Sequence, residues 1–435
     1  MSDYLFMLEN HLSTEQTRVL EELQAYAAKA NVNLFLAGGA MRDMLGGFPI
    51  RDLDFTVEGP AIKIGKAIAE KTGAAVVSVD DTRKAVELRF SGGVTAEISM
   101  ARQERYAKAG GRPVVTPATI HEDLRGRDFA VNSIALSLNR ASRGLLLDPN
   151  NGLADLERKE LRAAGNYVFY DDPVRLLRLH RLRVRLNFTI EDRTRMQYEN
   201  AREAQMEAHI GAAALGRELR AIAVEANAGE VLHTLAEERL LKLYSPALEG
   251  AKLNQQGFAK LLKARQLVPA GIQFYADDLP LFLYLLTEKL NAKETAALVE
   301  KAALERAETG AWLKLEAKSK KLEKELKSAK LTKPSALYQA LVKAEGNQIL
   351  FLLIYSQQRI IHDRLRNYLQ KYLPAAQEIA DNELEGLTDA KPGTPKFAKA
   401  KEELIYARLD GRSKKPAPPV EEAPPPGPGM ARARG

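Results

Sequence analysis

The chain contains no cysteine among its 435 residues, so disulfide bonds and metal sites built on thiolates are excluded. It also has no apolar run of the roughly 20 residues needed to cross a bilayer. Its first residues, MSDYLFMLENHLS, lack the charged-then-apolar layout of a secretory signal. These absences predict a protein without a membrane segment that resides in the cytoplasm.

What the chain does carry is an excess of positive charge, +7 overall at pH 7. Arginines cluster within residues 175–185, and lysines recur through 314–333 beside interleaved glutamates. Clustered cations suit a phosphate backbone, because each neutralised phosphate releases counterions. We interpret the arginine cluster as a contact for nucleotide or nucleic acid, with a solvated helix face as the alternative. The lysine-rich stretch is typical of ordinary helix surface.

Hydrophobic spacing divides the chain at about residue 150. Before that point, a helix predicted over 13–30 is followed by the strand patterns NLFLA, AAVVSVD, AVELRF and VTAEISM. After it, helical spacing dominates, with long stretches over 293–330 and 335–372, and strand patterns disappear. The sequence therefore predicts an α+β N-terminal domain with a mixed or antiparallel sheet, followed by an all-α, multi-helix C-terminal half. The proline-rich residues 412–435 are predicted to be disordered.

The strongest local pattern combines two glycines with closely spaced aspartates. Gly38 and Gly39 precede Arg42 and Asp43, and the segment Asp52–Asp54 follows with an aspartate at each end. Side chains at i and i+2 on a strand share a face, so both carboxylates can hold the same hard cation. Glycine lets the backbone approach a triphosphate closely, and the arginine adds positive charge beside it. The aspartate pair alone would favour a surface turn, but the whole combination predicts a magnesium-dependent nucleotide site.

This combination resembles the signature of the polymerase β nucleotidyltransferase superfamily, in the branch that contains tRNA nucleotidyltransferases and bacterial poly(A) polymerases. A second segment, EDLRGRDFAVNSI at 122–134, resembles that family's Arg-Arg-Asp-(Phe/Leu)-Thr-x-Asn-Ala motif. Arg127, Asp128 and Asn132 match it, and the resemblance implies that they bind ribose and triphosphate. Gly126 and Ala130 depart from the motif, and Ala130 lacks the threonine hydroxyl and the hydrogen bond it makes. An ordinary buried strand with a salt bridge is the alternative interpretation.

Two later segments extend the resemblance. Residues 148–162 match the family's Asp-Pro-x-x-Gly-x-x-Asp-Leu pattern, which we interpret as a mainly structural turn before a helix. Residues 171–188 resemble the Glu/Asp-Asp-Pro-x-Arg-x-Leu-Arg motif, and helical spacing would place Asp172, Arg175 and Arg178 on one face. The resemblance implies that Asp172 and Arg175 read the base of incoming CTP or ATP, with Arg178 and Arg181 supporting base or phosphate binding. An intrahelical salt bridge is the alternative.

Glu97, in the strand pattern VTAEISM, matches the family's acidic strand residue that follows the aspartate pair. The resemblance implies a third carboxylate that assists the attacking hydroxyl. An exposed strand residue without a catalytic role is the alternative. Farther along the chain, a proline–glycine segment at 391–395 is expected to lead into a final helix, with RNA-backbone contact or plain packing as its role.

The resemblance implies template-independent addition of nucleotides to an RNA 3′ end, with Mg²⁺ held by Asp52 and Asp54. Full addition of the tRNA CCA end from CTP and ATP is the first expectation, and A-only addition or poly(A) synthesis is the alternative. A catalytically inactive RNA-binding protein and a transferase for small molecules are further alternatives. The implied domains are a nucleotidyltransferase head at 1–150, a helical nucleotide-recognition neck at 151–225, and an RNA-binding body and tail at 226–411.

Overall fold

The computed structural model describes residues 3–384, 389 and 391–411. These residues form two compact units, one built from residues up to 262 together with 277–315, and the other from 263–276 together with 316 onward. None of the helices in these ranges is long and apolar enough to cross a membrane. The disorder predicted for 412–435 falls outside the described residues.

The first unit contains the mixed sheet that the sequence predicted. Its strands are β1 (Asn33–Ala37), β2 (Leu53–Glu58), β3 (Ala75–Asp80), β4 (Ala85–Arg89), β5 (Thr95–Met100), β8 (Ala135–Ser137) and β9 (Leu146–Leu147), and a separate hairpin pairs β6 (Arg102–Arg105) with β7 (Val114–Pro117). The order across the sheet is β3-β4-β5-β2-β1-β8-β9, and only the β2–β5 pair is parallel. Strand β2 therefore lies near the middle of the sheet, between β1 and β5.

Helices pack around this sheet. They are α1 (Asp3–His11), α2 (Thr14–Ala30), α3 (Gly38–Leu45), α4 (Ala61–Thr72) and α5 (Ile120–Arg125). Helix α2 begins at the predicted position because Ser13 and Gln16 form a capping box. Helix α4 lies very close to the sheet, since a Cβ on Gly65 would come within 2.2 Å of the Val86 side chain. Glycine at this position is what allows that approach.

The rest of the first unit is helical, as predicted, with one small exception. Its helices are α6 (Gly152–Arg158), α7 (Val168–Asp171), α8 (Arg175–Leu186), α9 (Asp192–Glu203), α10 (Ala212–Ala223), α11 (Ala228–Glu237), most of α12 (Gln255–Arg265), α13 (Asp278–Thr287) and α14 (Ala292–Lys301). The exception is a short parallel pair of β10 (Glu160–Leu161) and β11 (Thr189–Ile190), which corrects the expectation that strands end near 150. Two residues per strand are too few to produce a periodic pattern in the sequence.

The predicted continuous helical stretch over 293–330 is wrong, because the structure divides it in two. Helix α14 ends at Lys301, and α15 spans Arg306–Leu326. Between them Ala303 adopts a left-handed backbone with φ of 42°. Neither glycine nor proline marks this break in the sequence, so helical spacing alone could not locate it.

The second unit contains the end of α15 and a group of shorter helices. These are α16 (Pro334–Leu341), α17 (Gly346–Tyr355), α18 (Arg359–Asn367), α19 (Leu373–Gln377) and α20 (Pro395–Leu409), with a π-helical turn at Tyr368–Tyr372. The rings of Tyr338, Tyr368 and Tyr406 pack together, with centroids 6.0 and 6.5 Å from that of Tyr338. The expected proline–glycine entry into a final helix is confirmed, since Thr394 caps α20.

Candidate active site

The aspartate pair lies at the start of the central strand β2. Leu53 and Phe55 point into the core, with 0% and 1% of their surfaces exposed, whereas Asp52 and Asp54 face the other side of the sheet. This alternation is the one that a strand imposes on successive side chains. Asp54 is half-buried, and its Oδ2 accepts a hydrogen bond from the backbone N–H of Ala40 over 3.2 Å. The first turn of helix α3 is thereby fixed against this carboxylate.

The paired glycines explain how the helix comes so close. Gly38 has a left-handed φ of 64°, which other residues adopt only with strain. A Cβ on Gly39 would lie 2.9 Å from Oδ2 of Asp54. These glycines are predicted to allow close approach of a triphosphate, and in the structure they also permit close approach of the helix to Asp54.

A third carboxylate lies beside the pair. Parallel pairing of β2 with β5 places Glu97 directly opposite Asp54, and the Thr95 hydroxyl donates a hydrogen bond to Asp52. We call Asp52, Asp54 and Glu97 the carboxylate face. Withdrawal from water is the largest cause that raises the pKa of Asp54 to about 7, and the charges of Glu97 and Asp52 add to it. Within the part of the chain that the structure describes, none of the three forms an ion pair.

The chemistry of this donor set fits a hard divalent cation. The carboxylate face offers only oxygen donors, and its mutual repulsion would be relieved by bound positive charge. No group of three or more His, Cys, Asp or Glu residues among those described is arranged to hold a metal ion by itself. Mg²⁺ commonly takes one or two carboxylates and completes its shell with water and substrate phosphate oxygens. Asp52 and Asp54 could therefore hold Mg²⁺ together with a nucleotide.

Arg127 lies next to the carboxylate face and is held by two residues that the sequence did not single out. Its Nε and Nη2 donate to Oδ2 of Asp123 over 3.0 and 2.7 Å, and Nη2 also donates to the Thr56 hydroxyl over 3.1 Å. A Cβ on Gly38 would lie 3.2 Å from its Nη1. The structure thus brings the arginine of the second motif to the glycine turn of the first.

Four other predicted nucleotide-binding residues form a buried chain of hydrogen bonds. Nη1 of Arg42 donates to Oδ1 of Asn132 over 2.7 Å, and Nδ2 of Asn132 donates to Oδ1 of Asp128 over 2.9 Å. Nε and Nη2 of Arg42 also donate to Oδ1 of Asp43 over 2.9 and 2.7 Å. None of the four is more than 9% exposed. Their direct contact with a nucleotide therefore stays a prediction, while their mutual contacts are part of the domain interior.

The base-reading pair predicted from the fourth motif is arranged differently from the expected helix face. Asp172 lies before helix α8, which begins at Arg175, because a residue that precedes proline disfavours the helical region. Oδ2 of Asp172 lies 3.3 Å from Nη2 of Arg83, in the turn after β3. Arg175 is buried, and its Nη1 donates to the carbonyl of Val168 over 3.4 Å. Sequence spacing gave no signal for Arg83 as the partner of Asp172.

Three further arginines of α8, Arg178, Arg181 and Arg185, are paired with carboxylates from several elements. Arg178 lies 2.8 Å from Asp128, and Arg181 lies 2.6 Å from Glu218. Although burial opposes it, the charge of Arg178 holds the pKa of Asp128 well below its usual range. We call the whole set the arginine network; it comprises Arg178, Arg181 and Arg185 with Asp43, Asp128, Glu218 and Glu225.

Residues 34–162 match the family model described as the poly A polymerase head domain. The A-adding tRNA nucleotidyltransferase of Halalkalibacterium halodurans is 39% identical over 44% of this chain and 45% of its own length. That of Aquifex aeolicus is 30% identical over 78% of this chain and 40% of its own length. The chain therefore spans less than half the length of these two curated relatives.

A solved structure shares the fold. A CCA-adding enzyme in an apo form is superimposed with a TM-score of 0.53, covering 95% of this chain and 96% of that one at 22% identity. The similarity confirms the predicted fold class, an α/β region with a mixed sheet followed by a mostly helical half.

Proposed function

We propose that this chain, whose residues 34–162 match the family model of the poly A polymerase head domain, adds nucleotides to the 3′ end of tRNA without a nucleic-acid template. The observation that carries the proposal is the carboxylate face. Asp54 is held between the glycine turn and Glu97, with its pKa raised to about 7 and no internal ion pair among the described residues. A cation with a bound triphosphate would satisfy this arrangement better than any group within the described part of the chain.

The reaction in this proposal joins the RNA 3′-hydroxyl oxygen to the α-phosphorus of a nucleoside triphosphate and releases pyrophosphate. Asp52 and Asp54 would hold Mg²⁺, which when bound supplies charge neutralisation at the phosphates and promotes ionisation of the hydroxyl. Glu97 is assigned as the third carboxylate, beside the attacking hydroxyl. Arg127, fixed by Asp123 and Thr56, neutralises phosphate charge. Rate enhancement in this scheme comes mainly from positioning and electrostatic stabilisation.

Base selection is assigned to the region around Asp172. A carboxylate and a guanidinium together offer acceptors and donors that can pair with the edge of a base. Asp172 already uses Oδ2 toward Arg83, so these two side chains form such a combination in this structure. We propose that Asp172, with Arg83 or Arg175 beside it, distinguishes CTP and ATP from other nucleotides. The neck at 151–225 and the body at 226–411 would hold the nucleotide and the tRNA respectively.

Full addition of the CCA end is the first candidate, and A-only addition is the second. The second candidate is favoured by the two relatives that are named A-adding enzymes. The sequence motifs do not separate these outcomes, because in both reactions the same carboxylates would act on an RNA 3′-hydroxyl. The tRNA that accepts nucleotide therefore has to be varied experimentally.

The test offers the protein tRNA transcripts that end at the discriminator base, at C or at CC, together with CTP, ATP and Mg²⁺, and with one of the two nucleotides labelled in each assay. Extension of all three transcripts to CCA supports the first candidate, and AMP incorporation only onto the CC end supports the second. Asp54→Asn and EDTA serve as controls, because the substitution removes a ligand of the proposed cation site and EDTA removes the cation. Absence of incorporation with intact tRNA binding would identify a catalytically inactive RNA-binding protein and reject the enzyme.

A further inference from the structure

The loop that leads into strand β2, residues 46–52, is tied to the end of helix α10. Nη1 of Arg51 donates to Oε2 of Glu225 over 3.2 Å and to the carbonyl of Val224 over 3.2 Å. Nη2 of the same guanidinium reaches Oε1 of Glu225 over 3.5 Å. Arg51 thus contacts both oxygens of one carboxylate and an adjacent carbonyl, which fixes the direction of its side chain.

The carboxylate that Arg51 contacts is itself firmly held. The side chain of Glu225 is 2% exposed, and it also lies 3.0 Å from Arg181 and 3.9 Å from Arg185. Arg51, in contrast, is 35% exposed at its side chain. Glu225 therefore keeps two cationic partners if Arg51 is removed, so its burial does not depend on this third pair.

Arg51 directly precedes Asp52 in the chain. We infer that Glu225, through Arg51, positions Asp52 and so makes the end of α10 part of the geometry of the carboxylate face. Asp52 is exposed and lies outside the regular strand, so β-sheet hydrogen bonding does not fix its backbone by itself. The hydrogen bond from Thr95 holds the carboxylate of Asp52. The contact of Arg51 with Glu225 holds the backbone that directly precedes Asp52. Arg51 and Glu225 are positioning residues, not groups that touch substrate.

Positioning and simple electrostatics predict opposite results when Arg51 is replaced. A positive charge beside a cation site repels the cation, so its loss alone would strengthen cation binding. Loss of an anchor would weaken cation binding, because the carboxylate would no longer be held in place. Partners that orient metal ligands change metal affinity or activity by about 10–100-fold when mutated. The direction of the change in affinity therefore distinguishes the two roles.

The experiment compares Arg51→Met with Arg51→Lys and with a matched control, Arg220→Met. Arg220 also pairs with a glutamate, Glu308, and its side chain is 31% exposed, similar to that of Arg51. Mn²⁺ binding to the full-length protein is measured from the EPR signal of free Mn²⁺. Hydrogen–deuterium exchange of peptides covering residues 46–54 is measured on the same samples. Steady-state kinetics with ATP and tRNA give kcat and the KM for ATP of each variant.

For Arg51→Met we expect Mn²⁺ affinity to fall about tenfold and exchange to increase in the 46–54 peptides alone. We expect kcat to fall about tenfold while KM for ATP stays within about twofold. Arg51→Lys should recover part of the affinity, and Arg220→Met should resemble the parent.

Unchanged or strengthened Mn²⁺ affinity in Arg51→Met, or an equal loss in Arg220→Met, would overturn the inference. The inference rests on the proposed function for its catalytic consequence, but exchange and Mn²⁺ binding are read without turnover. A parent protein that incorporates no nucleotide would therefore reject the proposed function, and the positioning role would still be decided by the other two measurements.

Discussion

The carboxylate face and the arginine network both lie in the first unit, but their carboxylates differ in whether they are paired with cations. In the arginine network, every buried carboxylate has a guanidinium within hydrogen-bonding distance, such as Glu218 with Arg181 at 2.6 Å. On the carboxylate face, Asp54 meets two further acids and its pKa rises to about 7. Charges that are satisfied inside the chain belong to its structure, whereas like charges left facing each other indicate a partner from outside.

The largest effect is expected from Asp54→Asn. Loss of a cation ligand removes several kcal/mol of transition-state stabilisation, which corresponds to about a 10³-fold fall in rate. With EDTA present, the melting temperature of Asp54→Asn should not be lower than that of the parent, because the neutral amide relieves the repulsion with Asp52 and Glu97. Nucleotide incorporation and thermal unfolding measure the two outcomes.

The control for this variant is Glu21→Gln, which neutralises an exposed acid on helix α2. It should change neither the rate nor the melting temperature. Retention of activity within about tenfold of the parent by Asp54→Asn would remove Asp54 from the proposed chemistry.

The next effect is on stability and comes from Glu218→Gln, in the arginine network. The Glu218 side chain is 2% exposed and serves Arg181 at 2.6 Å and Arg178 at 3.5 Å. Removing one partner of a buried pair leaves uncompensated charge, so the free energy of unfolding should fall by about 3 kcal/mol. Urea denaturation of Glu218→Gln and Asp54→Asn compares the two regions. Neutralising an acid should lower the free energy of unfolding in the arginine network but not on the carboxylate face. Equal stability of Glu218→Gln and the parent would contradict it.

The sequence predicted the parts of both regions that depend on local pattern. The strand before Gly38, the alternation that turns Asp52 and Asp54 away from the core, and the capped start of helix α2 all follow from short-range rules. The partner of a charged side chain does not follow from such rules. Arg181 appears in the sequence as one of several basic residues on a helix, and nothing nearby identifies Glu218 as its partner.

Two further outcomes show where spacing misleads. Helical spacing placed Asp172 on the face of α8, but Pro173 forces the preceding residue out of the helix, and Asp172 instead meets Arg83. Ala303 breaks a predicted helix without a glycine or proline signal. Both cases depend on tertiary contacts or on backbone conformations that periodicity does not encode.

A third prediction concerns His180 on α8, a buried polar side chain that belongs to neither the carboxylate face nor the arginine network. Its ring is 1% exposed and packs edge-on against Tyr198, and neither ring nitrogen has a hydrogen-bond partner among the described residues. Burial lowers the pKa of His180 from 6.5 to about 4. The unfolded chain therefore takes up a proton as pH falls below 6.5, while the folded chain does not until about pH 4. Stability contributed by neutral His180 is complete above pH 6.5 and is lost progressively as the pH falls toward 4.

His180→Leu should remove this part of the pH dependence. Between pH 7 and 5 the parent should lose about 2 kcal/mol of unfolding free energy from this group, and the variant should lose none of that amount. Urea denaturation at a series of pH values measures both slopes. Parallel slopes for parent and variant would show that another group controls acid stability in this range.

The smallest effect is expected at a surface pair that matches the arginine network in distance but not in burial. Nζ of Lys71 lies 2.6 Å from Oε2 of Glu22, the same separation as between Arg181 and Glu218, but the two side chains are 56% and 38% exposed. Water and salt screen such a pair, so Lys71→Gln should change the free energy of unfolding by less than about 0.5 kcal/mol. Urea denaturation at low and high salt measures it, and a loss as large as that of Glu218→Gln would contradict the role given to burial. If the small change is found, separation alone does not determine what an ion pair contributes, and the difference between the two charged regions follows from which charges the fold removes from water.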